Sequence, residues 1–133
     1  MIGLDTNVVV RVLVTDDDPV QSAAARGLLE SLTPSRPGWI SGIALAESFW
    51  VLRRSYRLGS ADIARALSIL TESEDILVEQ PETVRAALAA AMDGADFADV
   101  LIALTARKAG SRVTMTFDRR AARDIDSMEL LRT

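Results

Sequence analysis

Short apolar segments alternate with longer helix-forming segments along this chain, and that alternation restricts its fold more than any other feature. Residues 76–78 and 113–117 are rich in aliphatic and β-branched side chains, as strands are, and residues 1–4, 39–40 and 128–130 form similar short runs. Short apolar strands separated by helices favour a parallel sheet that is covered on both faces. The sequence therefore predicts an α/β fold.

Capping residues and prolines mark where the helices begin. Asp18 before Pro19, Ser41, Ser60, Pro81 and Asp96 each stand at the start of a helix-forming segment. We place one further helix after Asp5 and another after Asp118. The predicted helices cover residues 8–14, 20–32, 42–57, 60–71, 81–92, 96–110 and 119–125.

The composition limits the chemistry that this chain can perform. Its 133 residues suit one domain, which we place at residues 1–133. The sequence has no cysteine and no histidine, which excludes disulfides, zinc fingers, thiol catalysis and histidine bases. Catalysis would depend on carboxylates, hydroxyls, arginines, the single Lys108 or a hard cation bound by oxygen.

Charge and hydropathy indicate a soluble, cytoplasmic protein. The apolar runs are too short to cross a bilayer, and the first residues lack the pattern of a signal peptide, so we expect no membrane association. The net charge is −4, which does not favour nucleic-acid binding, but binding depends on where the charges lie. Fourteen of the 15 basic residues are arginine, the better partner for phosphate.

Two aspartates directly follow predicted strands. Asp5 ends the first apolar run, and Asp118 ends the run at residues 113–117. The carboxyl ends of parallel strands face the crevice in which ligands bind, so both side chains could reach one crevice. Each could equally be a helix N-cap, which is a common use of aspartate. Occurring together, they favour a functional site.

Three more acids have unusual surroundings. Asp96 and Asp99 are three residues apart on the first turn of a predicted helix, where capping alone would account for Asp96. Small and apolar residues surround Asp99, which indicates a partly buried carboxylate. Glu47 lies in the apolar segment of residues 44–50, on the side opposite the predicted core stripe of Leu45, Phe49, Leu52 and Tyr56.

Carboxylates that meet in one pocket need a counter-charge. Two like charges 4 Å apart repel by about 4 kcal/mol at an effective dielectric of 20. A divalent cation relieves this repulsion, and oxygen ligands without histidine or cysteine select Mg²⁺ or Mn²⁺. Such an ion promotes hydrolysis of phosphodiesters.

These acids stand in four sequence motifs that together resemble the PIN-domain ribonucleases. The motifs are Ile-Gly-Leu-Asp-Thr-Asn at residues 2–7, Ala-Glu at 46–47, Asp-Phe-Ala-Asp-Val-Leu-Ile-Ala at 96–103 and Thr-Met-Thr-Phe-Asp at 114–118. The length and the lack of added domains resemble the VapC-type toxins of bacterial toxin–antitoxin pairs. The resemblance implies a three-layer α/β/α fold with a short parallel central sheet flanked by helices.

The resemblance also implies the roles of individual residues. Asp5, Glu47, Asp99 and Asp118 would form the catalytic set of a Mg²⁺-dependent endoribonuclease, in which Mn²⁺ could replace Mg²⁺. Asp5, Asp99 and Asp118 would ligate the metal. The supporting residues would be Thr6, Asn7, Asp96 and Thr116.

The same resemblance implies the partners. The substrate would be RNA, the chain would form a homodimer, and a small VapB-type antitoxin would block the site. Contacts to RNA phosphates are expected from arginines that share a helix face with a site residue or cluster after Asp118. These candidates are Arg11, Arg54, Arg119, Arg120 and Arg123, although surface pairing with acids would also explain an arginine there.

Other features have structural interpretations. The run of aspartates at residues 16–18 lacks the alternating spacing of a calcium-binding loop and is expected to cap the second helix. The aromatic residues Trp39, Phe49, Trp50 and Tyr56 are too scattered to indicate a base-stacking platform, so we assign them to core or dimer packing.

Two alternative functions remain open. An enzyme that forms an aspartyl-phosphate would also place an aspartate after its first strand. However, this chain has Asn7 where such phosphatases carry a second acid, and Lys108 lies near a helix end rather than after a late strand. The second alternative is a catalytically inactive PIN-like scaffold, against which the intact set of mutually repelling carboxylates argues.

Overall fold

A computed structural model describes residues 1–15 and 18–133 and confirms the α/β class. Asp16 and Asp17 lie outside the described residues, so the structure does not address their predicted role. The described strands are β1 (Ile2–Gly3), β2 (Gly38–Ile40), β3 (Ile76–Val78), β4 (Thr114–Thr116) and β5 (Met128–Leu130). The described helices are α1 (Thr6–Leu13), α2 (Pro19–Ser31), α3 (Gly42–Arg54), α4 (Ser60–Thr71), α5 (Pro81–Met92), α6 (Phe97–Lys108) and α7 (Arg119–Asp124).

The strands pair in parallel, as the alternation of strands and helices predicts. The order β1-β2-β3 forms one hydrogen-bonded sheet, in which Ile2 lies opposite Gly38 and Gly38 opposite Ile76. A second parallel pair joins β4 to β5, with Thr114 opposite Met128. Every described strand pair is joined through at least one helix, which parallel pairing requires.

Most predicted helix starts are confirmed at the level of single hydrogen bonds. The side chains of Asp5, Asp18, Ser41 and Asp96 each accept a backbone N–H in the first turn of the following helix. The cap predicted at Ser60 is wrong. Gly59 takes the N-cap position of α4 without a side-chain hydrogen bond, so Ser60 is already helical.

Helix α3 ends earlier than the sequence predicts. It stops at Arg54 rather than near residue 57, because the chain turns at Arg57, which has a positive φ of 55°. The N–H of Leu58 then donates to the carbonyl of Leu52 at 3.1 Å. This turn brings Gly59 and α4 back toward the C-terminal end of α3.

A buried aromatic pair fixes α3 against α6. The rings of Phe49 and Phe97 stack with centroids 5.1 Å apart and planes inclined by 10°. Both side chains are buried, and Leu45 and Leu52 of the predicted stripe are buried with them, while Tyr56 is half-buried. Because Phe97 follows Asp96 directly, this contact holds the start of α6 close to the middle of α3.

In the part of the chain that the structure describes, the helices are too short or too polar to cross a bilayer.

Replacing Phe97 by alanine is expected to lower the free energy of unfolding by about 3–5 kcal/mol, because it leaves a cavity under α3 and removes the ring stack. Urea denaturation followed by circular dichroism measures the change. The matched control is Phe117→Ala, since 68% of the Phe117 side chain is exposed; we expect about 0.5 kcal/mol or less there. Equal losses in the two variants would contradict this assignment of the core.

Candidate active site

Three of the helices begin on the acids that the sequence singles out. Asp5 Oδ1 accepts the N–H of Val8 at 3.1 Å, and Asp96 Oδ1 accepts the N–H of Asp99 at 2.9 Å. Asp118 Oδ1 accepts two backbone N–H groups, those of residues 120 and 121, at 2.9 and 3.0 Å. Each of these caps uses Oδ1, and a carboxylate has a second oxygen. Capping therefore fixes the orientation of each carboxylate without excluding a second role.

Asp96, Asp99 and Asp118 line one cavity of about 190 Å³ between the starts of α6 and α7. We call it the acidic cavity. Arg53, Arg120 and Asp124 also line it. The structure thus brings together two of the four predicted catalytic acids, Asp99 and Asp118, with the predicted supporting acid Asp96.

The electrostatics of the acidic cavity are concentrated on Asp99. Burial raises the pKa of this half-buried carboxyl, and the nearby carboxylates of Asp96 and Asp118 raise it further. All three causes disfavour the charged form, and a bound cation would offset each of them. A bound cation would therefore stabilise the charged form of the Asp99 side chain.

Glu47 is held by a hydrogen bond to Thr6 and does not line the acidic cavity. It is exposed on α3 and accepts a hydrogen bond from Oγ1 of Thr6, the first residue of α1. This bond joins the segment after β1, which carries Asp5, to α3. Asn7 is exposed in the first turn of α1. Among the described residues that line the acidic cavity, neither Asp5 nor Glu47 appears, so their predicted part in a shared site stays a prediction.

The donor set of the acidic cavity suits a hard cation. Within residues 1–15 and 18–133, no three acidic side chains are already gathered closely enough to hold a metal ion. Mg²⁺, however, commonly keeps several water ligands and binds through one or two carboxylates, so widely set acids around a small polar cavity are compatible with it. The shared lining and the raised pKa of Asp99 both fit such an ion.

Thr116 and Gly94 shape the approach to the cavity. Oγ1 of Thr116, at the end of β4, accepts the N–H of Asp118 at 3.0 Å and so sets the turn into α7. Gly94 has a φ of 103°, which favours glycine, and its carbonyl accepts a hydrogen bond from Arg120 at 3.3 Å. The Arg120 side chain therefore lies across the acidic cavity from α7 toward the segment before α6.

The arginines predicted to contact phosphate have different settings. Arg120 lines the acidic cavity and pairs with Asp124, Nε to Oδ2, at 3.5 Å. Arg123 also pairs with Asp124, at 2.9 Å, while Arg119 is exposed at the start of α7. Arg11 is half-buried and donates to Gln21 Oε1 and Tyr56 Oη. Arg120 therefore has the best position of these four for a ligand in the cavity.

Arg53 and Asp124 line the acidic cavity but were not predicted as site residues. Their roles depend on contacts between distant segments. The spacing along α3 drew attention to Arg54, seven residues after Glu47, whereas Arg53 follows the buried Phe49 by four residues and so shares its face. Asp124 pairs with Arg120 and Arg123, which is the surface pairing with acids that the sequence also allowed for these arginines.

Comparison with protein families gives an independent result. The family model of the PIN domain matches residues 2–126 of the 133-residue chain. PIN domains are typically metal-dependent nucleases that act on RNA. No curated protein matches the chain significantly. The matched range includes every acid described above.

Asp99→Asn is expected to raise the melting temperature at neutral pH without divalent cations, because it removes a charge that burial and two carboxylates disfavour. With its pKa raised in the fold, this group costs stability above the folded pKa. The cost vanishes as pH falls below the ordinary aspartate value of 3.8, so the gain should shrink toward acid. Thermal unfolding in EDTA at several pH values measures it.

The matched control is Asp62→Asn, which removes an exposed carboxylate that pairs with Arg65 at 3.0 Å and should give no gain. If Asp99→Asn melts below the wild type at neutral pH, the electrostatic description of the acidic cavity is wrong.

Proposed function

The chain belongs to the PIN domain family, and on that premise we propose that it is a Mg²⁺-dependent endoribonuclease. The observation that carries the proposal is the acidic cavity. Asp96, Asp99 and Asp118 share its lining, and burial, followed by the carboxylates of Asp96 and Asp118, raises the pKa of Asp99. A carboxylate that is destabilised by its neighbours gains most from a dication. The same site serves hydrolysis of phosphodiesters.

In this proposal Asp99 and Asp118 hold the cation, with Asp5 as a further ligand. Asp96 keeps Asp99 in place through its cap of α6, and Thr116 does the same for Asp118. Glu47 completes the catalytic set, and the Thr6 hydroxyl orients its carboxylate. A bound Mg²⁺ supplies an activated water and neutralises charge on the phosphate, and Mn²⁺ could serve instead.

Arg120 is the proposed phosphate contact beside the acids. Its guanidinium is exposed and held loosely by Asp124 and the Gly94 carbonyl, at 3.5 and 3.3 Å. An RNA phosphate offers a stronger, charge-assisted partner in the same direction. Asp124 keeps its closer pairing with Arg123 when Arg120 turns to the substrate. The exposed Arg119 and Arg54 would extend the contact to neighbouring phosphates.

We further propose that the enzyme is a VapC-type toxin that works in the cytoplasm and is inhibited by a small VapB-type antitoxin. An acidic cavity that binds a dication also attracts the guanidinium of an inhibitory segment. A homodimer is supported by an apolar surface formed by the start of α3 and the first two-thirds of α6, where Ile43 and Ile102 are 81% and 52% exposed around a shared cleft. Such patches commonly mark protein interfaces.

Purified protein is expected to cut RNA in Mg²⁺ or Mn²⁺ and to lose this activity in EDTA. Asp99→Asn and Asp118→Asn should each lower the rate by about 100-fold or more, because metal stabilisation of the transition state is worth several kcal/mol. Both changes keep the size of the side chain. Gel analysis of a labelled single-stranded RNA measures the rate.

Asp62→Asn is the control for the loss of one negative charge from a carboxylate that lines neither the acidic cavity nor its neighbour, and it should retain wild-type activity. Cleavage that persists in EDTA or in the Asp99→Asn variant would indicate a contaminating nuclease or another mechanism, and would contradict the proposal of metal-dependent cleavage at Asp99. Acid-labile phosphate on Asp5 would favour the phosphatase alternative, and folded protein that binds RNA without cutting it would favour the inactive scaffold.

Expression of the wild-type chain in a bacterial host is expected to stop growth, because an unregulated ribonuclease degrades cellular RNA. The Asp99→Asn variant, expressed at an equal level, should allow growth. Colony counts after induction measure the difference. The Asp99→Asn strain should give at least about tenfold more viable cells than the wild-type strain, because it lacks the activity. Equal growth of both strains, with active enzyme recovered from the wild-type cells, would contradict a toxin role.

A further inference from the structure

A second cavity adjoins the acidic cavity and is larger, at about 510 Å³. We call it the α3 groove. Trp50, Arg53 and Arg54 line it from α3, and Asp96 and Ala98 line it from the start of α6. Arg53, Ser60 and Asp96 line both cavities, so a ligand chain can pass from one to the other without leaving the surface.

The groove carries an exposed aromatic ring beside two cations. Trp50 is 58% exposed, although its neighbour Phe49 is buried in the core. The guanidinium carbon of Arg54 lies 5.7 Å from the centre of the Trp50 ring, in cation–π contact. Core packing, which the sequence suggested for Trp50, therefore does not account for this side chain.

Exposed aromatic rings with nearby arginines are the features that bind single-stranded nucleic acids. A nucleobase stacks on an aromatic face whatever its sequence, and arginines pair with the phosphates on either side. Trp50 as a whole residue keeps more than half of its surface exposed, which leaves area for a base. The positive charges of Arg53 and Arg54 also offset the negative charge of the acids nearby. Without these arginines, that negative charge would repel a polyanion.

We propose that the α3 groove binds a nucleotide next to the cleaved bond, with its base stacked on Trp50 and its phosphate held by Arg53 and Arg54. The inference rests on the proposed ribonuclease function and adds to it a subsite for one unpaired nucleotide. A duplex keeps its bases stacked on each other, so it cannot offer one to Trp50. The groove thus selects unpaired segments and sets the distance between the stacked base and the acidic cavity.

The test measures binding separately from cleavage. In an Asp99→Asn background with Mg²⁺, fluorescence anisotropy follows a labelled single-stranded RNA and an abasic strand of equal length. Trp50→Ala should weaken RNA binding by roughly 5- to 150-fold, the loss expected for one stacked base, and leave binding of the abasic strand unchanged. Trp50→Phe keeps a ring and should stay close to the parent.

Ile69→Ala is the matched control, because Ile69 is 71% exposed on α4 and the change removes a similar apolar surface outside the groove. A second readout uses Trp39→Phe in the same background, which makes Trp50 the sole tryptophan. RNA should quench its fluorescence, and the abasic strand should bind without quenching.

Three outcomes would overturn the inference. The first is RNA binding by Trp50→Ala as tight as that of the parent. The second is an equal loss for RNA and for the abasic strand, which would indicate a general structural effect. The third is a change of oligomeric state in sedimentation with RNA affinity unchanged, which would make Trp50 a dimer contact.

The proposed function fails separately from this inference. If wild-type protein never cuts RNA but Trp50→Ala still weakens RNA binding, the groove is an RNA-binding surface and the nuclease proposal is wrong. If the wild type cuts RNA and the Asp99→Asn series shows no effect of Trp50, the nuclease proposal stands and the stacking inference is wrong.

Discussion

Mutual repulsion among carboxylates at the start of α6 and α7 is the constraint on which the rest of this structure depends. Burial disfavours the charge on Asp99 most, and the carboxylates of Asp96 and Asp118 add to its effect. A fold tolerates a destabilised carboxylate when neighbouring contacts hold it and the other acids in place. Asp96 and Asp118 are fixed by backbone N–H groups, and the stack of Phe49 on Phe97 anchors the helix that carries Asp99. The strain is electrostatic, and a dication would relieve it.

Much of the fold could be predicted because local sequence decides it. The bounds of α5, β3 and β5 agree with the structure. Pro81 marks the start of α5, a short apolar run marks β3, and two apolar residues around Glu129 mark β5. The errors in the predicted helix bounds come from contacts between residues that are distant in sequence and from backbone geometry. The chain leaves α3 at Arg54 because Arg57 adopts a positive φ, and no residue pattern indicates this for an arginine. Ser60 was a reasonable cap by residue type, but the turn that precedes it places Gly59 there instead.

The acids of the candidate site could be singled out because each breaks a pattern at a strand end or within an apolar stretch. Which of them meet could not be read from the sequence, because this depends on how α6 and α7 pack. Asp99 and Asp118 share a cavity, whereas Glu47 accepts a hydrogen bond from Thr6 and does not line that cavity. Arg53 was missed for the same reason. It stands beside the predicted Arg54, and only the packing of α3 against α6 shows which of the two faces the acids.

The distribution of charge explains how an acidic chain could hold RNA. A net charge of −4 opposes binding at long range, and the acidic cavity itself repels phosphate until a cation enters it. The arginines are placed where this repulsion has to be overcome. Arg53 lies on the boundary between the acidic cavity and the α3 groove, and Arg120 reaches across the cavity from α7. A polyanion would therefore meet positive charge first along the groove and negative charge at the one point where a dication mediates the contact. In the proposed function, this order would make the contact between phosphate and the acidic cavity depend on the cation, while the arginines of the α3 groove would bind RNA without it.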